Sequence, residues 1–302
     1  MKTITVLLSI YGNSPFLIDF LKSLQSQSCQ EFRLFYRADG YFSMPDELPS
    51  LLPDAAAHPD QQHCGVVGSY GKLVADAPES PYYMFADQDD LWHREKIEKT
   101  LAAMKQAEEK WGKDTPLLVH SDLRVVSENL SRISDSFVRY QSLATHKTSL
   151  KELMLQNNVT GCTVMINKAL RDLVSLPSAA VCHDWYIAMT AAAFGRIVFM
   201  DEVLTHYRQH DSNVYGAVPL KAFLKKIFRR NSLHERLRLN QKQAAAFAEQ
   251  FRDKLSPEHT AMLDAWSGNL NESSYLKRIA CAWRWGFKKH DWIRTLGMWW
   301  AL

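Results

Sequence analysis

Cysteine is scarce in this sequence, and its spacing excludes two common ways of stabilising a fold. The 302 residues contain five cysteines, an odd number, and no C-x-x-C pair. Neither a disulfide framework nor a structural zinc site is predicted from such a pattern, and a reducing cytosol is the expected compartment. The cysteines are Cys29, Cys64, Cys162, Cys182 and Cys281.

Long apolar runs and phosphate-binding glycine motifs are also missing. The sequence has no 18 consecutive apolar residues, and its best candidate, Ala188 to Met200, is interrupted by Arg196. No membrane-spanning helix is therefore predicted. The apolar run from Ile4 to Ile10 is too short for a signal peptide and predicts a buried strand. The absence of a G-x-x-x-x-G-K-[ST] motif excludes a P-loop kinase as far as motifs can.

The composition is that of a soluble globular protein whose charge is unevenly distributed. Hydrophobic residues make up 46% and charged residues 23% of the chain, which is enough for a sizeable core. Residues 217–302 hold 16 Lys and Arg against 7 Asp and Glu, whereas residues 1–216 hold 20 against 26. We therefore predict an acidic body at 1–216 and a basic, Trp-rich helical extension at 217–302, whose charge indicates an anionic partner.

Strand-like and helix-like segments alternate through the first half of the chain. Thr5 to Ile10 and Tyr82 to Ala86 have the apolar patterns of strands, and Arg94 to Ala107 has the pattern of a helix. Asn13 is placed to cap the first helix, with Pro15 in its first turn. This alternation predicts an α/β fold with a mostly parallel central sheet flanked by helices. Beyond about residue 218 the pattern predicts helices only.

Carboxylates directly follow two of the predicted strands. Asp39 follows a second predicted strand, in which Phe32, Leu34 and Tyr36 alternate with other residues. Asp87-Gln88-Asp89-Asp90 follows the strand from Tyr82 to Ala86. Ligands of open α/β sheets bind at such carboxyl ends. Three carboxylates in four residues repel one another unless a cation neutralises them, and Mg²⁺ or Mn²⁺ favours oxygen ligands. An acidic turn that caps the helix from about His93 explains the same residues equally well.

Two further segments carry groups that could take part in chemistry. In His183-Asp184-Trp185, Asp184 is either a general base or a helix cap, and a cap is the commoner role. In Tyr207-Arg208-Gln209-His210, His210 could complete a metal site and Arg208 could bind a phosphate. A single histidine is more often a surface or core residue than a ligand, so both interpretations stay open at this point.

Taken together and in order, short segments between about residues 3 and 216 resemble family 2 glycosyltransferases of the GT-A fold. The resemblance is greatest to bacterial enzymes that build surface polysaccharides, including rhamnosyltransferase-like members. The segments are Leu7-Leu8-Ser9-Ile10-Tyr11, Ala38-Asp39-Gly40, Gly65-Val66-Val67-Gly68-Ser69, Phe85-Ala86-Asp87-Gln88-Asp89-Asp90-Leu91-Trp92, Thr160-Gly161-Cys162, His183-Asp184-Trp185 and Tyr207-Arg208-Gln209-His210.

The resemblance implies that residues 1–216 form a GT-A catalytic domain with a nucleotide pocket. Ser9 and Tyr11 would line the nucleotide pocket, Asp39 would hydrogen-bond the base, and Asp87 would lie near the ribose or the metal. Asp89 would bind a divalent metal, Mg²⁺ or Mn²⁺, that bridges the two phosphates of a nucleotide-sugar donor.

The resemblance also implies the residues that act on the sugar. Asp184 would be the catalytic base of an inverting transfer, which needs one base and no second carboxylate across the bond. His210 would approach the metal or the diphosphate, with Arg208 nearby. The transferred sugar and the acceptor would be bound by Thr160, Gly161, His183 and Trp185.

The residues differ from the family pattern at a few positions, and the resemblance leaves alternatives open. Gly12 stands where relatives often have Asn, Ala38 where many have Asp, and Tyr41-Phe42 where small polar residues are usual. The donor is expected to be dTDP-rhamnose or a UDP-hexose, and the acceptor a glycan or a lipid-linked oligosaccharide. A sugar-nucleotide nucleotidyltransferase and a non-catalytic scaffold of the same fold are the alternatives.

The basic extension admits two interpretations. Residues 219–230 and 276–302 mix Lys and Arg with aliphatic and aromatic residues. Basic helices with Trp favour anionic lipid interfaces, which predicts a peripheral contact with the inner face of the cytoplasmic membrane. Amphipathic helices are also commonly packed against a core or a partner chain. Nucleic acid is not predicted as a partner, because no nucleic-acid motif accompanies the charge.

Overall fold

The computed structural model describes residues 2–40, 42, 44–210, 230–271 and 274–302. Its centre is a sheet built from the apolar segments that the sequence pattern marks as strands. The strands are β1 Ile4–Ile10, β2 Phe32–Ala38, β3 Ala56–Ala57, β4 Tyr82–Ala86, β5 Leu91–Trp92, β6 Leu117–Ser127, β7 Arg132–Ser134, β8 Met165–Asn167 and β9 Arg196–Gln209.

The sheet order is β3-β2-β1-β4-β8-β6-β9-β5, with β7 paired to β6. The longest ladders are parallel: β1 runs beside β2 and β4, and β6 runs beside β9 from Leu117 opposite Arg196 to Ser127 opposite Gln209. The short β8 is antiparallel to both β4 and β6. Parallel pairing therefore dominates the sheet, and it brings the carboxyl ends of β1, β2 and β4 to one edge.

Helices cover both faces of the sheet and bury two large apolar clusters. One cluster contains Phe20, Met84 and Ile97, and the other contains Tyr83, Phe85 and Ile187. The helices are α1 Leu17–Gln25, α2 Leu48–Leu51, α3 Gly65–Asp76, α4 Lys96–Trp111, α5 Phe137–Gln141, α6 Leu150–Leu155, α7 Lys168–Arg171, α8 His183–Phe194, α9 Arg230–Gln250, α10 Pro257–Gly268, α11 Tyr275–Trp285 and α12 Trp292–Ala301. None of the helices in these described ranges is long and apolar enough to cross a membrane.

The last four helices pack on the sheet domain as well as on one another. Phe247 of α9 lies with its ring centroid 5.3 Å from that of Tyr186 in α8. The amide of Asn240 donates to the Met154 carbonyl (2.6 Å), and the fully buried Trp266 donates to the Asn240 side chain (2.7 Å). These helices therefore share a core with the body, while the predicted boundary between two units at 216 stays a prediction.

The structure corrects two local expectations and leaves a third outside its range. The first helix begins at Leu17 and its N-cap position is Phe16, so Asn13 does not cap it and Pro15 lies before it. The pattern predicts two strands, at 197–200 and 203–207, but the structure has the single strand β9. The register of β9 against β6 is irregular, and a local bulge is enough to carry one strand through the predicted interruption. The basic segment 219–229 lies outside the described residues.

Candidate active site at the carboxyl edge of the sheet

Three predicted site segments meet where β1, β2 and β4 end. Tyr11 follows β1, Asp39 follows β2, and Asp87 follows β4, and the three strands are parallel neighbours. The Tyr11 N–H donates to the Gln88 side chain (2.9 Å), whose amide donates back to the Tyr11 carbonyl (3.0 Å). This reciprocal pair joins the loop after β1 to the acidic loop, Asp87–Asp90.

A buried arginine organises the side of the edge that holds Asp39. Arg37 is fully buried and donates to Asp39 (2.7 Å) and to the Ser69 hydroxyl (3.1 Å), which also bonds Ser9 (2.6 Å). The Cys64 N–H donates to the same Asp39 oxygen (2.8 Å). Burial alone would raise the pKa of Asp39, but these donors outweigh it and leave that pKa below its usual value.

Two rings stand in solvent beside this buried network. The Tyr11 side chain is 65% exposed, and its ring centroid lies 5.1 Å from that of His63. The His63 imidazole lies 3.1 Å from the second oxygen of Asp39. An exposed aromatic pair next to a fixed carboxylate can stack on a flat ring and hydrogen-bond its edge.

On the other side of the acidic loop, Asp89 pairs with His210. The His210 Nε2 lies 2.7 Å from Asp89 Oδ2, and both side chains are mostly buried. Arg208, two residues earlier at the end of β9, donates to the backbone carbonyls of Asp89 (3.0 Å) and Glu128 (2.7 Å) and pairs with Asp19 (3.1 Å). The guanidinium of Arg208 therefore holds the acidic loop against β9.

Behind the acidic loop lies a second group of ionisable side chains. Asp87, Asp90 and Cys162 place possible ligand atoms within 4.8 Å of one another, so the group could hold a metal ion. Burial, and then the charges of Asp89 and Asp87, raise the pKa of Asp90 well above its usual value. Burial likewise raises the pKa of the Cys162 thiol. A neutral thiol is a poor ligand for a hard cation such as Mg²⁺ or Mn²⁺.

Lys96, in the first turn of α4, is the cation nearest to this group. Its ammonium is fully buried, donates to the Cys162 carbonyl and to Thr205 (2.7 Å), and lies 3.8 Å from the centre of the Trp92 ring. Burial lowers the pKa of Lys96 to about 8, opposed by the charges of neighbouring groups that include Asp90. The positive charge and its hydrogen bonds link α4 to the segment around Cys162.

Asp184 lies in the first turn of α8, close to Gly161 and to the acidic loop. One of its oxygens accepts from the Gly161 N–H (2.9 Å), and the other accepts from the Trp185 N–H (2.6 Å). Burial, and then the charges of Asp89 and Asp184, raise the pKa of Asp87 to about 7. Asp89 and Asp184 are therefore both close enough to Asp87 for their charges to act on it. We call Asp39, Asp87–Asp90, Gly161, Asp184 and His210 the sheet-edge cleft.

The remaining predicted residues lie around Asp184. His183 is mostly buried and stacks on the Tyr70 ring at 3.9 Å between centroids, and burial lowers its pKa. Trp185 is half-buried and donates to the Leu153 carbonyl. Thr160 accepts from Thr163 (2.7 Å) in the turn before β8. The Gly161 backbone lies so close to His183 that a Cβ would approach Nε2 to 2.6 Å.

The structure also brings in residues to which the sequence analysis assigned no role. Arg37 had a readable signal, since residues two apart in a strand share a face and it lies two residues before Asp39. Lys96 had none, because a cation in the first turn of a helix is usually solvated. Cys162 and His63 come from segments whose positions depend on the packing of the whole sheet.

Comparison with known proteins agrees with this architecture. No protein-family model matches the chain. A curated relative, the dTDP-rhamnosyl transferase RfbG of Shigella flexneri, is 24% identical over 211 residues, covering 66% of this chain and 63% of the relative. The chain thus spans less than two thirds of that relative's length. The resemblance to rhamnosyltransferase-like family 2 glycosyltransferases is confirmed.

Solved structures share the fold of this chain. S. aureus TarS 1-349 in complex with UDP-GlcNAc has a TM-score of 0.57 at 14% identity, covering 94% of this chain and 80% of that one. The mannosyltransferase PcManGT from Pyrobaculum calidifontis, in complex with GDP-Man and Mn²⁺, has a TM-score of 0.50 at 14% identity, covering 93% and 73%. The predicted GT-A fold class is confirmed.

Proposed function

We propose that this protein transfers a sugar from a nucleotide-diphosphate donor to a hydroxyl of a glycan or lipid-linked oligosaccharide in bacterial surface polysaccharide synthesis. The observation that carries the proposal is the sheet-edge cleft, where Asp89, which pairs with His210, and the separate carboxylate of Asp184 both act on Asp87. The relative described as a dTDP-rhamnosyl transferase and the sugar-nucleotide complexes of the same fold support it.

Donor binding is assigned to the part of the cleft nearest β1 and β2. Tyr11 and His63 offer an exposed ring pair for the base, with Asp39 as the acceptor beside them. Ser9 supports this wall through Ser69, and Asp87 would lie near the ribose or the metal. The donor is dTDP-rhamnose or a UDP-hexose, as the relative and the UDP-GlcNAc complex suggest.

Neutralisation of the charge on the leaving group is assigned to the Asp89–His210 pair. The two side chains would hold Mg²⁺ or Mn²⁺ together with diphosphate oxygens, and PcManGT was solved with Mn²⁺. When bound, such an ion supplies Lewis-acid neutralisation of the departing nucleoside diphosphate. Arg208 fixes the Asp89 backbone and brings positive charge close to the same place.

Proton removal is assigned to Asp184. The acceptor oxygen forms a bond to the anomeric carbon while the bond from that carbon to the diphosphate oxygen breaks, and the acceptor proton passes to the Asp184 carboxylate. A single displacement of this kind inverts the anomeric configuration. The N–H groups of Gly161 and Trp185 hold Asp184 in place, while Thr160, His183 and Trp185 complete the wall for the sugar and acceptor.

A screen of sugar nucleotides tests the proposal directly. The full chain is incubated with dTDP-rhamnose, UDP-glucose, UDP-GlcNAc and GDP-mannose, each with Mn²⁺ or EDTA, and released nucleoside diphosphate is measured. We expect release from one donor with Mn²⁺ and its loss with EDTA. Failure of every donor to bind or react would contradict a glycosyltransferase. Formation of a nucleoside triphosphate from a sugar nucleotide and pyrophosphate would instead support a nucleotidyltransferase.

A further inference from the structure

Two helices near the end of the chain expose apolar stripes. On α11, Leu276 and Trp283 are 76% and 68% exposed, and they lie seven residues apart on one helical face. On α12, Trp292, Leu296 and Trp300 are 71%, 51% and 54% exposed, at a spacing of four residues. Exposed apolar side chains aligned at helical spacing mark a contact surface more often than isolated ones do.

The two stripes are neighbours because α11 and α12 contact each other. The Trp283 ring centroid is 5.8 Å from that of Trp299, and the Tyr275 hydroxyl donates to the Trp299 carbonyl (3.2 Å). The opposite faces of both helices are buried, at Ala282 and Met298. We call Leu276, Trp283, Trp292, Leu296 and Trp300 the tryptophan surface.

Positive charge surrounds the tryptophan surface. Residues 275–302 contain six Lys and Arg but one acidic residue, Asp291, which pairs with Arg294. Arg284 and Lys288 are exposed, and within the part of the chain that the structure describes no carboxylate forms an ion pair with either. Burial, and then the charges of Arg294 and Arg236, lower the pKa of nearby Lys289 to about 8.

We propose that the tryptophan surface docks the protein on the interface of an anionic lipid bilayer. Indole rings favour the boundary between headgroups and acyl chains, because one end is apolar and the N–H can be hydrated. Exposed Arg284 and Lys288 would lie at the depth of anionic headgroups, where each cation adds attraction.

The charge also argues against a second copy of this chain as the occupant. Two such surfaces face to face would bring Arg284 and Lys288 of both copies together without an acidic partner, and like charges in contact oppose association. A lipid surface supplies the missing negative charge over a wide area and needs no complementary shape. The inference does not depend on the reaction proposed above.

Vesicle flotation with the full chain tests this docking. The vesicles contain phosphatidylcholine alone or a 3:1 mixture of phosphatidylcholine and phosphatidylglycerol. We expect strong flotation with the anionic mixture only. The triple variant Trp283→Ser, Trp292→Ser and Trp300→Ser and the double variant Arg284→Glu and Lys288→Glu should each reduce binding about tenfold or more.

Two matched variants control for lost apolar area and for altered charge. Ile133→Ser with Leu239→Ser removes exposed apolar groups outside the tryptophan surface. Lys105→Glu with Lys254→Glu changes the net charge by the same amount as Arg284→Glu with Lys288→Glu. Both should float like the unmodified chain, and circular dichroism checks that every variant is folded. Unchanged flotation of the tryptophan variant, or equal flotation with neutral vesicles, would overturn the proposal. Dimerisation that the tryptophan changes abolish, without vesicle binding, would assign the surface to a second copy instead.

Discussion

The sheet-edge cleft and the tryptophan surface are unusual in opposite ways, because ionisable groups are buried at the first and apolar groups are exposed on the second. Around the cleft, Asp90 and Lys96 are charged or ionisable groups with no exposure to water. On the tryptophan surface, Trp283 and Trp292 are apolar side chains exposed over more than two thirds of their area. Burying a charge costs free energy, and an indole ring left in water contributes no burial free energy. Neither region is therefore arranged for the greatest stability of the fold.

The difference lies in how many elements hold each region. The residues of the cleft come from the ends of β2, β4 and β9, from the turn before β8 and from α8. Hydrogen bonds such as those of Arg208 and Gln88 join these segments to one another and to the loop after β1. The tryptophan surface is one side of α11 and α12 only. A change in the cleft should therefore affect chemistry or folding, whereas a change on the tryptophan surface should affect association alone.

The largest effect is expected from Asp184→Asn. The amide keeps the size of the side chain but accepts a proton poorly, so kcat should fall about 100- to 10,000-fold while donor affinity changes little. Steady-state rates and calorimetric titration with the nucleotide measure the two quantities. Asp172→Asn, at an exposed ion pair with Lys168, is the matched control and should keep full activity. A kcat within a few-fold of the original would remove Asp184 as the base.

Lys96→Met should cost stability. The substitution leaves the Cys162 carbonyl and Thr205 without their donor and removes the buried charge that faces Asp87 and Asp90, which we expect to lower the unfolding free energy by about 3 kcal/mol. Urea denaturation measures it. Lys105→Met, at an exposed position of the same helix, should change the unfolding free energy by less than about 0.5 kcal/mol. Equal stability of the two variants would show that the buried charge contributes nothing.

Asp89→Ala should weaken metal-dependent donor binding. Loss of one metal-binding carboxylate typically lowers metal affinity by about 10- to 100-fold or more, and the diphosphate should lose affinity in step. Nucleotide titration with Mn²⁺ and with EDTA separates this from direct contacts. In EDTA the variant and the original chain should bind alike. A donor affinity that is unchanged in Mn²⁺ would contradict the assignment of Asp89 and His210.

The contrast between the two regions also explains what could be predicted from the sequence. Apolar periodicity and strand-end carboxylates predicted the α/β sheet and placed Asp39 and Asp87–Asp90 at one edge, because parallel strands align their carboxyl ends. Asp184 came from a resemblance, and its proximity to Asp87 depends on where α8 packs. Such contacts between distant segments have no local pattern.

The same limit applied to the helical extension. Composition indicated Trp and cations but could not separate Trp266, which is fully buried, from Trp292, which is 71% exposed. Both lie in helices with mixed neighbours, and contacts with Asn240 of α9 and with Phe287 remove Trp266 from water. Core packing, one of the two interpretations of the extension, therefore holds for Trp266. The other, a contact surface, is proposed for Trp292.

The smallest effect on folding is expected from Trp292→Ser. A side chain that is already 71% exposed loses little apolar burial, so the unfolding free energy should change by no more than about 0.5 kcal/mol. Trp266→Ala should instead lower it by about 3–5 kcal/mol, because a large buried ring leaves a cavity. Denaturation curves of both variants, set beside vesicle flotation, separate the roles. A large loss of stability in Trp292→Ser would mean that this tryptophan supports the fold, and the division between a core face and a docking face of these helices would fail.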